Sequence, residues 1–307
     1  MRQTIPTPEE TLTAMPQFSW DLVADWQTIF QYPFMQNAFL AGTMVAIVAG
    51  VVGYFVVVRH LAFASHTLAN IGFAGAAGAV VIGIPPVAGL LAFTFAGALG
   101  IGAFSREVGN RDVITGTVLV WCLGLGTLFL SLYSGYATNA YGILFGEILG
   151  ITRQDVWLTL VAAVITLGAM AIIYRPLLFA SLDQEVAEAR GVPVRLLSIA
   201  FLLIMAVAVA VAVQVVGVLL IFSLIITPAA IAERLTQRPP IAVLLAVVLA
   251  LGFTWGGLVA GFYLPYPVSV YITSLAFGTY LVVRLAHWGW QQWTQRHVNA
   301  RRHEVLA

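Results

Sequence analysis

Residues 36–58 read QNAFLAGTMVAIVAGVVGYFVVV, from Gln36 to Val58, without one charged side chain. A helix rises about 1.5 Å per residue, so some 20 apolar residues in a row cross the ~30 Å hydrocarbon core of a bilayer. Eight more runs of this kind come after it, at 63–83, 87–104, 113–133, 155–174, 195–213, 214–231, 241–261 and 268–286. The composition agrees: 61% of the 307 residues are hydrophobic, 9% are charged, and the mean hydropathy is +0.96. A soluble domain carries roughly 25% charged residues, so this chain cannot cover a water-exposed surface in the ordinary way. Little is left for a folded aqueous domain, which excludes a nucleotide-binding domain, a soluble hydrolase and a nucleic-acid binder. The fold class expected is all-α, a polytopic transmembrane helical bundle of about nine spans. Eight or ten spans result if 195–231 is one element or 136–150 adds a partial one. The chain divides into a polar segment 1–35, a membrane domain 36–286 and a tail 287–307.

All fourteen basic residues are arginine. With the first span entering from outside, the inner connections hold Arg59, Arg106, Arg111, Arg175, Arg190, Arg195, Arg234, Arg238, Arg284, Arg296, Arg301 and Arg302, leaving only Arg2 and Arg153 outside. Basic residues favour the inner side, so the N-terminus is expected outside and the C-terminus inside. The first apolar run starts too late, and is too long, for a cleavable signal. In the first segment, Leu22, Val23, Trp26, Ile29 and Phe30 recur at helical spacing after Ser19. This pattern fits an amphipathic helix in the outer interface and equally a terminal helix packed on the bundle. In the tail, Trp288, Trp290 and Trp293 form an interfacial anchor. The single cysteine, Cys122, lies within an apolar run and offers neither a disulfide nor a thiolate cluster within one chain.

Small residues four apart let helices approach closely in lipid, and Gly142, Gly146 and Gly150, with the pairs Gly252/Gly256 and Gly257/Gly261, are expected to do so. Arg59–Ser65 and Arg175–Ser181 agree at five of seven positions, each following an apolar run at its inner end. Such similarity raises the question of an internal repeat, a common device in transporters.

Ionisable groups inside a span are costly and by default point to function. They are few here. His66 lies early in the second run with Asn70 four residues on, so the two share a helix face. An imidazole nitrogen and an amide oxygen presented together suit Zn²⁺ or Mn²⁺, and two copies across a homodimer axis would supply four ligands. An interhelical hydrogen bond from a satisfied histidine explains the pair equally well. Glu147, in the stretch 136–150, is the one carboxylate that could carry a coupling ion. No HExxH or GxSxG motif is present, so an intramembrane enzyme is disfavoured, and the scarcity of buried carboxylates disfavours a proton-coupled carrier. The energy source is then expected on another protein. The loop 175–195 could receive it: Asp183, Glu185, Glu188 and Arg190 lie in a short polar helix stopped by Gly191 and Pro193. A solvated loop explains these charges, but a docking helix for a cytoplasmic partner also explains the helix.

Six stretches in order carry a resemblance: Phe34-Met-Gln-Asn-Ala38; Arg59 with the Ser/His/Asn segment after it; Phe145-Gly146-Glu-Ile-Leu149; Ser181-Leu-Asp183 through Gly191-Val-Pro193; Gln214-Val-Val-Gly217-Val-Leu-Leu220; and Thr227-Pro228-Ala229-Ala230. Together they resemble the membrane permease subunits of the bacterial ABC importers for zinc, manganese and iron, the ABC-3 group, over about 34–284. The resemblance implies a multi-pass protein of the bacterial cytoplasmic membrane, not itself an enzyme and holding no stable cofactor. It further implies a homodimer with cytoplasmic ATP-binding cassette ATPase subunits that bind the ATP, fed by an extracytoplasmic metal-binding protein. Asp183, Glu185, Glu188, Arg190, Gly191 and Pro193 would form the ATPase-coupling loop. A divalent metal would cross near the dimer axis past His66, Asn70 and Glu147 by alternating access. The family usually places Asp and His where this chain has His66 and Asn70. The exchange removes a negative charge and favours a His-based path for zinc over manganese. The alternative is a secondary metal carrier or channel without an ATPase.

Overall fold

A computed structural model describes residues 22–104, 108–132, 146 and 148–306. Among them are eleven α-helices: α1 (Leu22–Phe30), α2 (Pro33–Val58), α3 (Ala62–Val81), α4 (Pro86–Phe104), α5 (Val108–Leu132), α6 (Arg153–Leu182), α7 (Gln184–Ala189), α8 (Val194–Val216), α9 (Val218–Leu235), α10 (Pro239–Tyr263) and α11 (Val268–Leu306). A single 3-10 turn, Ile148–Gly150, precedes α6, and the described residues contain no strand. Seven of the helices, α2, α4, α5, α6, α8, α10 and α11, are long and apolar enough to cross a membrane. In α3 the polar residues Ser65, His66, Thr67 and Asn70 interrupt the apolar run.

The centre of the bundle is α2 and α8, with 67% and 61% of their most apolar windows buried, against 17% for α5 and α11 and 22% for α6. The peripheral helices present large apolar side chains outward, among them Trp121, Trp157 and Ile172. That arrangement is stable only where the surrounding solvent is itself apolar.

Glycine sets the closest crossings. A Cβ on Gly75 of α3 would run into the Gly89 carbonyl of α4, and a Cβ on Gly89 into the Gly75 carbonyl. Gly72 faces Leu90 and Thr94, while Gly97 faces Ile71 and Leu68, so α3 and α4 are antiparallel. Along α2, Gly42 abuts Thr254 and Leu258, and Gly50 the backbone of Val247, so α10 runs antiparallel to α2. Gly53 abuts the Ile225 carbonyl of α9. The expected pair Gly257/Gly261 does pack closely, against Ile272 and Val268 of α11. Gly252 faces open space, Gly142 lies outside the described residues, and Gly146 is not on a helical face. With φ +75 Gly146 sits against Val216 and Gly217, where any Cβ would collide with backbone.

α1 packs on the bundle. The Trp26 ring lies 5.6 Å from Phe39 and 6.3 Å from Trp255, and Phe30 is 5.2 Å from Phe39. Tyr32, just after α1, approaches Phe262 at 5.7 Å, and Asp25 is buried. These contacts dock α1 on α2 and α10.

α6 runs on through Arg175 and Pro176 to Leu182, beyond the expected end at 174. Proline removes one intrahelical hydrogen bond, but the helix continues because Leu177 and Ala180 are buried on its next turn. Arg59, by contrast, caps the end of α2, and His60 turns the chain at φ 54 into α3. The two similar heptads therefore have different backbones, one a turn and the other continuous helix, and are not structural duplicates.

Candidate functional site

Three places carry polar chemistry. The first is the connection between α6 and α8. Asp183 caps α7 by accepting the Val186 N–H at 3.0 Å, an arrangement worth about 1 kcal/mol. Gly191, at φ +83, ends it: the Gly191 N–H reaches the Glu188 carbonyl at 2.9 Å and the Val192 N–H the Ala187 carbonyl at 3.0 Å. The six-residue helix is thus closed at both ends, with Ala187 buried against the bundle. Glu185, Glu188 and Arg190 are exposed around it, together with the apolar Leu182 (69%) and Val186 (44%). A groove of about 640 Å³ beside it is lined by Glu188, Pro193, Arg195 and Ile199 among others. The sequence expectation of a compact helix stopped by Gly191 and Pro193 is met, and the loop proper is shorter than 175–195 because α6 extends to Leu182.

The second is His66. Asn70 does share its face, but the amide presents nitrogen rather than oxygen to the imidazole. Nδ2 donates to the His66 carbonyl at 2.9 Å and lies 3.3 Å from Nε2. The carbonyl bond fixes which amide atom is the donor, so Nε2 accepts and the ring proton of the neutral imidazole sits on Nδ1. Nδ1 is buried without a hydrogen-bond partner, and the ring stands edge-on to Phe222 of α9 at 4.8 Å. Nδ1 becomes a free ligand nitrogen for a passing cation only when the ring proton moves to Nε2, which requires the Asn70 amide to turn its oxygen toward the ring. Among the described residues no group of three or more His, Cys, Asp or Glu could hold a metal ion, so the described residues of one chain do not build such a cluster around His66. Glu147 lies outside the described residues.

The third place was not anticipated as a site. A cavity of about 1010 Å³ opens between Pro85–Ala88 at the start of α4 and the first turns of α6, with Val80, Val213 and Gln214 in its wall. Its polar lining is Gln154, Asp155 and Gln214. Asp155 and Thr152 form a reciprocal capping box, with Asp155 Oδ2 accepting from Thr152 N–H at 3.1 Å and from its hydroxyl at 2.6 Å. Gln214 Nε2 donates to the other carboxylate oxygen at 2.9 Å, while Gln214 Oε1 is buried with no partner. The signal for Asp155 in the sequence was Thr152-x-x-Asp155, a helix-start pattern that says nothing of a cavity. Val80 and His66 are fourteen residues apart on α3, so the cavity and the imidazole are separated by about 21 Å along that helix.

Comparison with known proteins agrees with this architecture. The manganese transport system membrane protein MntC of Listeria innocua is 31% identical over 258 residues, covering 83% of this chain and 88% of that one. The manganese import system permease protein ScaB of Streptococcus parasanguinis is 30% identical over 203 residues, covering 66% and 72%. The solved structure of PsaBC from Streptococcus pneumoniae in complex with Fab shares the fold, with TM-score 0.77 at 24% identity over 85% of this chain and 95% of that one. The relatives are named for manganese, so the preference for zinc read from His66 finds no support in them. Residues 31–287 match the ABC 3 transport family, and the chain belongs to that family as a multi-pass membrane permease.

Proposed function

We propose that this chain is the membrane-spanning subunit of an ATP-binding cassette importer for a divalent transition metal, with manganese ahead of zinc. The observation that carries the reading is α7: a helix capped at both ends, held between two long helices, with acidic and apolar side chains exposed together. A solvated loop needs neither the caps nor the exposed Leu182 and Val186, whereas a surface that docks a cytoplasmic ATPase needs both. ATP is bound and hydrolysed on that partner, and the permease holds no cofactor. The permease works as a homodimer, receives metal from an extracytoplasmic binding protein, and passes it by alternating access.

Manganese is favoured by the names of the relatives and by the donors. The polar lining of the cavity, Gln154, Asp155 and Gln214, carries oxygen as its donor type, which suits a hard cation. His66 offers one nitrogen, and the described residues of one chain add no His, Cys, Asp or Glu cluster to make it a zinc site. With α3 and α9 added to the seven apolar helices, nine spans result, and the distribution of the fourteen arginines supports an outside N-terminus.

The test is uptake of radioactive manganese by cells that depend on this transporter, with zinc as competitor. Manganese is expected to enter in preference, and His66→Ala to lower entry roughly tenfold at equal expression, the scale of losing a metal-contacting group. Zinc outcompeting manganese would reverse the cargo assignment. Unchanged entry in His66→Ala would remove the imidazole from the path.

A further inference from the structure

Arg59 sits where three helices meet. Its backbone ends α2, its Nη1 donates to the Ser181 hydroxyl of α6 at 3.3 Å, and its Nη2 donates to the Ser198 hydroxyl of α8 at 2.7 Å. The Ser181 hydroxyl donates its own proton to the Leu177 carbonyl at 2.6 Å, so its oxygen is oriented to accept from the guanidinium. The guanidinium carbon also lies 5.9 Å from the ring centre of Phe201, which is wholly buried. Phe201 in turn meets Phe55 of α2 at 6.1 Å, and Phe55 meets Tyr174 of α6 at 5.6 Å. One planar fork therefore bridges α6 and α8 on either side of α7.

The next residues along the chain lead from this fork to the imidazole. Immediately after Arg59 comes the turn at His60, then α3, whose second turn carries His66. A displacement of α7 moves the ends of α6 and α8 to which the fork is bonded. Through the fork that displacement reaches the hinge between α2 and the helix holding His66. A surface ion pair would transmit little, being screened and loosely held. Here two charge-assisted hydrogen bonds and an aromatic face hold the guanidinium from different helices.

We infer that Arg59 is a positioning residue that ties the docking helix α7 to the His66-bearing segment, so that movement at the ATPase interface is passed to the metal path. The inference rests on the reading of α7 as the ATPase contact. Arg59 itself touches neither metal nor nucleotide.

The experiment uses the permease purified with its ATPase and reconstituted in vesicles, with manganous ion as the transported probe. The readout is metal delivered per ATP hydrolysed, a ratio that loss of protein or of overall stability does not move. Arg59→Gln is expected to lower the ratio about fivefold or more, the usual size of coupling between sites. Arg59→Lys should fall between, since a point charge replaces the two-pronged fork. Ser198→Ala should lower the ratio less, and the double variant Arg59→Gln/Ser198→Ala should be no worse than Arg59→Gln alone, because both remove one connection. An unchanged ratio in Arg59→Gln overturns the inference, as do additive effects in the double variant. If Arg59→Gln does not assemble, Ser198→Ala decides, and an unchanged ratio there overturns the inference. Charge reversal on α7 (Glu185→Lys with Glu188→Lys) is measured alongside. Should it uncouple while Arg59→Gln does not, the Arg59 connection alone fails; should neither have an effect, the docking reading fails with it.

Discussion

Gly89→Val is expected to leave almost no folded permease in the membrane. At the α3–α4 crossing the atoms facing each glycine are the backbone carbonyl of the other, not the tip of a side chain that could rotate away. Branched bulk at position 89 must therefore separate two helices along their whole contact, including the packing of Gly72 on Thr94 and of Gly97 on Ile71. Ordinary overpacking costs about 1–3 kcal/mol, and a backbone-to-backbone crossing lies above that range. The whole stability of a domain is only about 5–15 kcal/mol. Gly252→Ala and Gly124→Ala provide the contrast, since no atom beyond the helix's own neighbouring backbone lies within 4 Å of a Cβ at either place. Both should stay within about 0.5 kcal/mol of the parent, like other substitutions away from packed features. Size-exclusion profiles and thermal unfolding of the detergent-extracted variants measure this directly. A well-folded Gly89→Val protein would mean that the crossing is looser than the backbone indicates.

The second large effect is expected at α7. Reversing both Glu185 and Glu188 to lysine changes the charge of the exposed face while leaving the helix itself intact, because the cap is Asp183 and the stop is Gly191. ATP hydrolysis by the assembled complex should then no longer drive manganese entry, with transport down roughly thirtyfold, the size of losing an interface hot spot of about 2 kcal/mol. Asp183→Lys is the less informative substitution. It removes the cap as well as the charge, so it mixes unwinding of α7 with loss of contact. Full transport by the Glu185/Glu188 variant would show that this face meets no partner.

The helices were largely legible in the sequence, because apolar runs bounded by arginine, proline or glycine mark where a helix can sit in lipid. The run 36–58 became Pro33–Val58 and the run 241–261 became Pro239–Tyr263. Boundaries were lost where a local signal was outvoted. The apolar run ended at 174, but buried Leu177 and Ala180 carried α6 on through Pro176 to Leu182. The break between α8 and α9 fell at Gly217, whose φ of 84 closes one helix and opens the next, and apolar residues on both sides concealed it. Glycine spacing within one segment picked out Gly257 and Gly261 but missed Gly75 and Gly89, since a crossing is made by two helices and one segment records only its own half. The site was less legible still. His66 and Asn70 were placed on one face correctly, yet which amide atom turned inward depended on a bond to the His66 backbone. Asp155 was not singled out, since Thr152-x-x-Asp155 marks only a helix start, and it is the meeting of α6 with Gln214 of α8 that shows it facing a cavity.

The docking of α1 has an optical consequence. Trp26 and Trp255 stand 6.3 Å apart on separate helices, and the Trp255 indole N–H is held by the Thr43 hydroxyl of α2 at 2.9 Å. Trp255 is thereby fixed to the centre of the bundle while Trp26 rides on the terminal helix. Excitation passes between two indoles with an efficiency that falls steeply with separation. The depolarisation of this pair's emission, isolated by difference from a Trp26→Phe protein, therefore registers the lifting of α1 from α10, giving the permease a built-in gauge of motion at that end of the bundle without any attached dye.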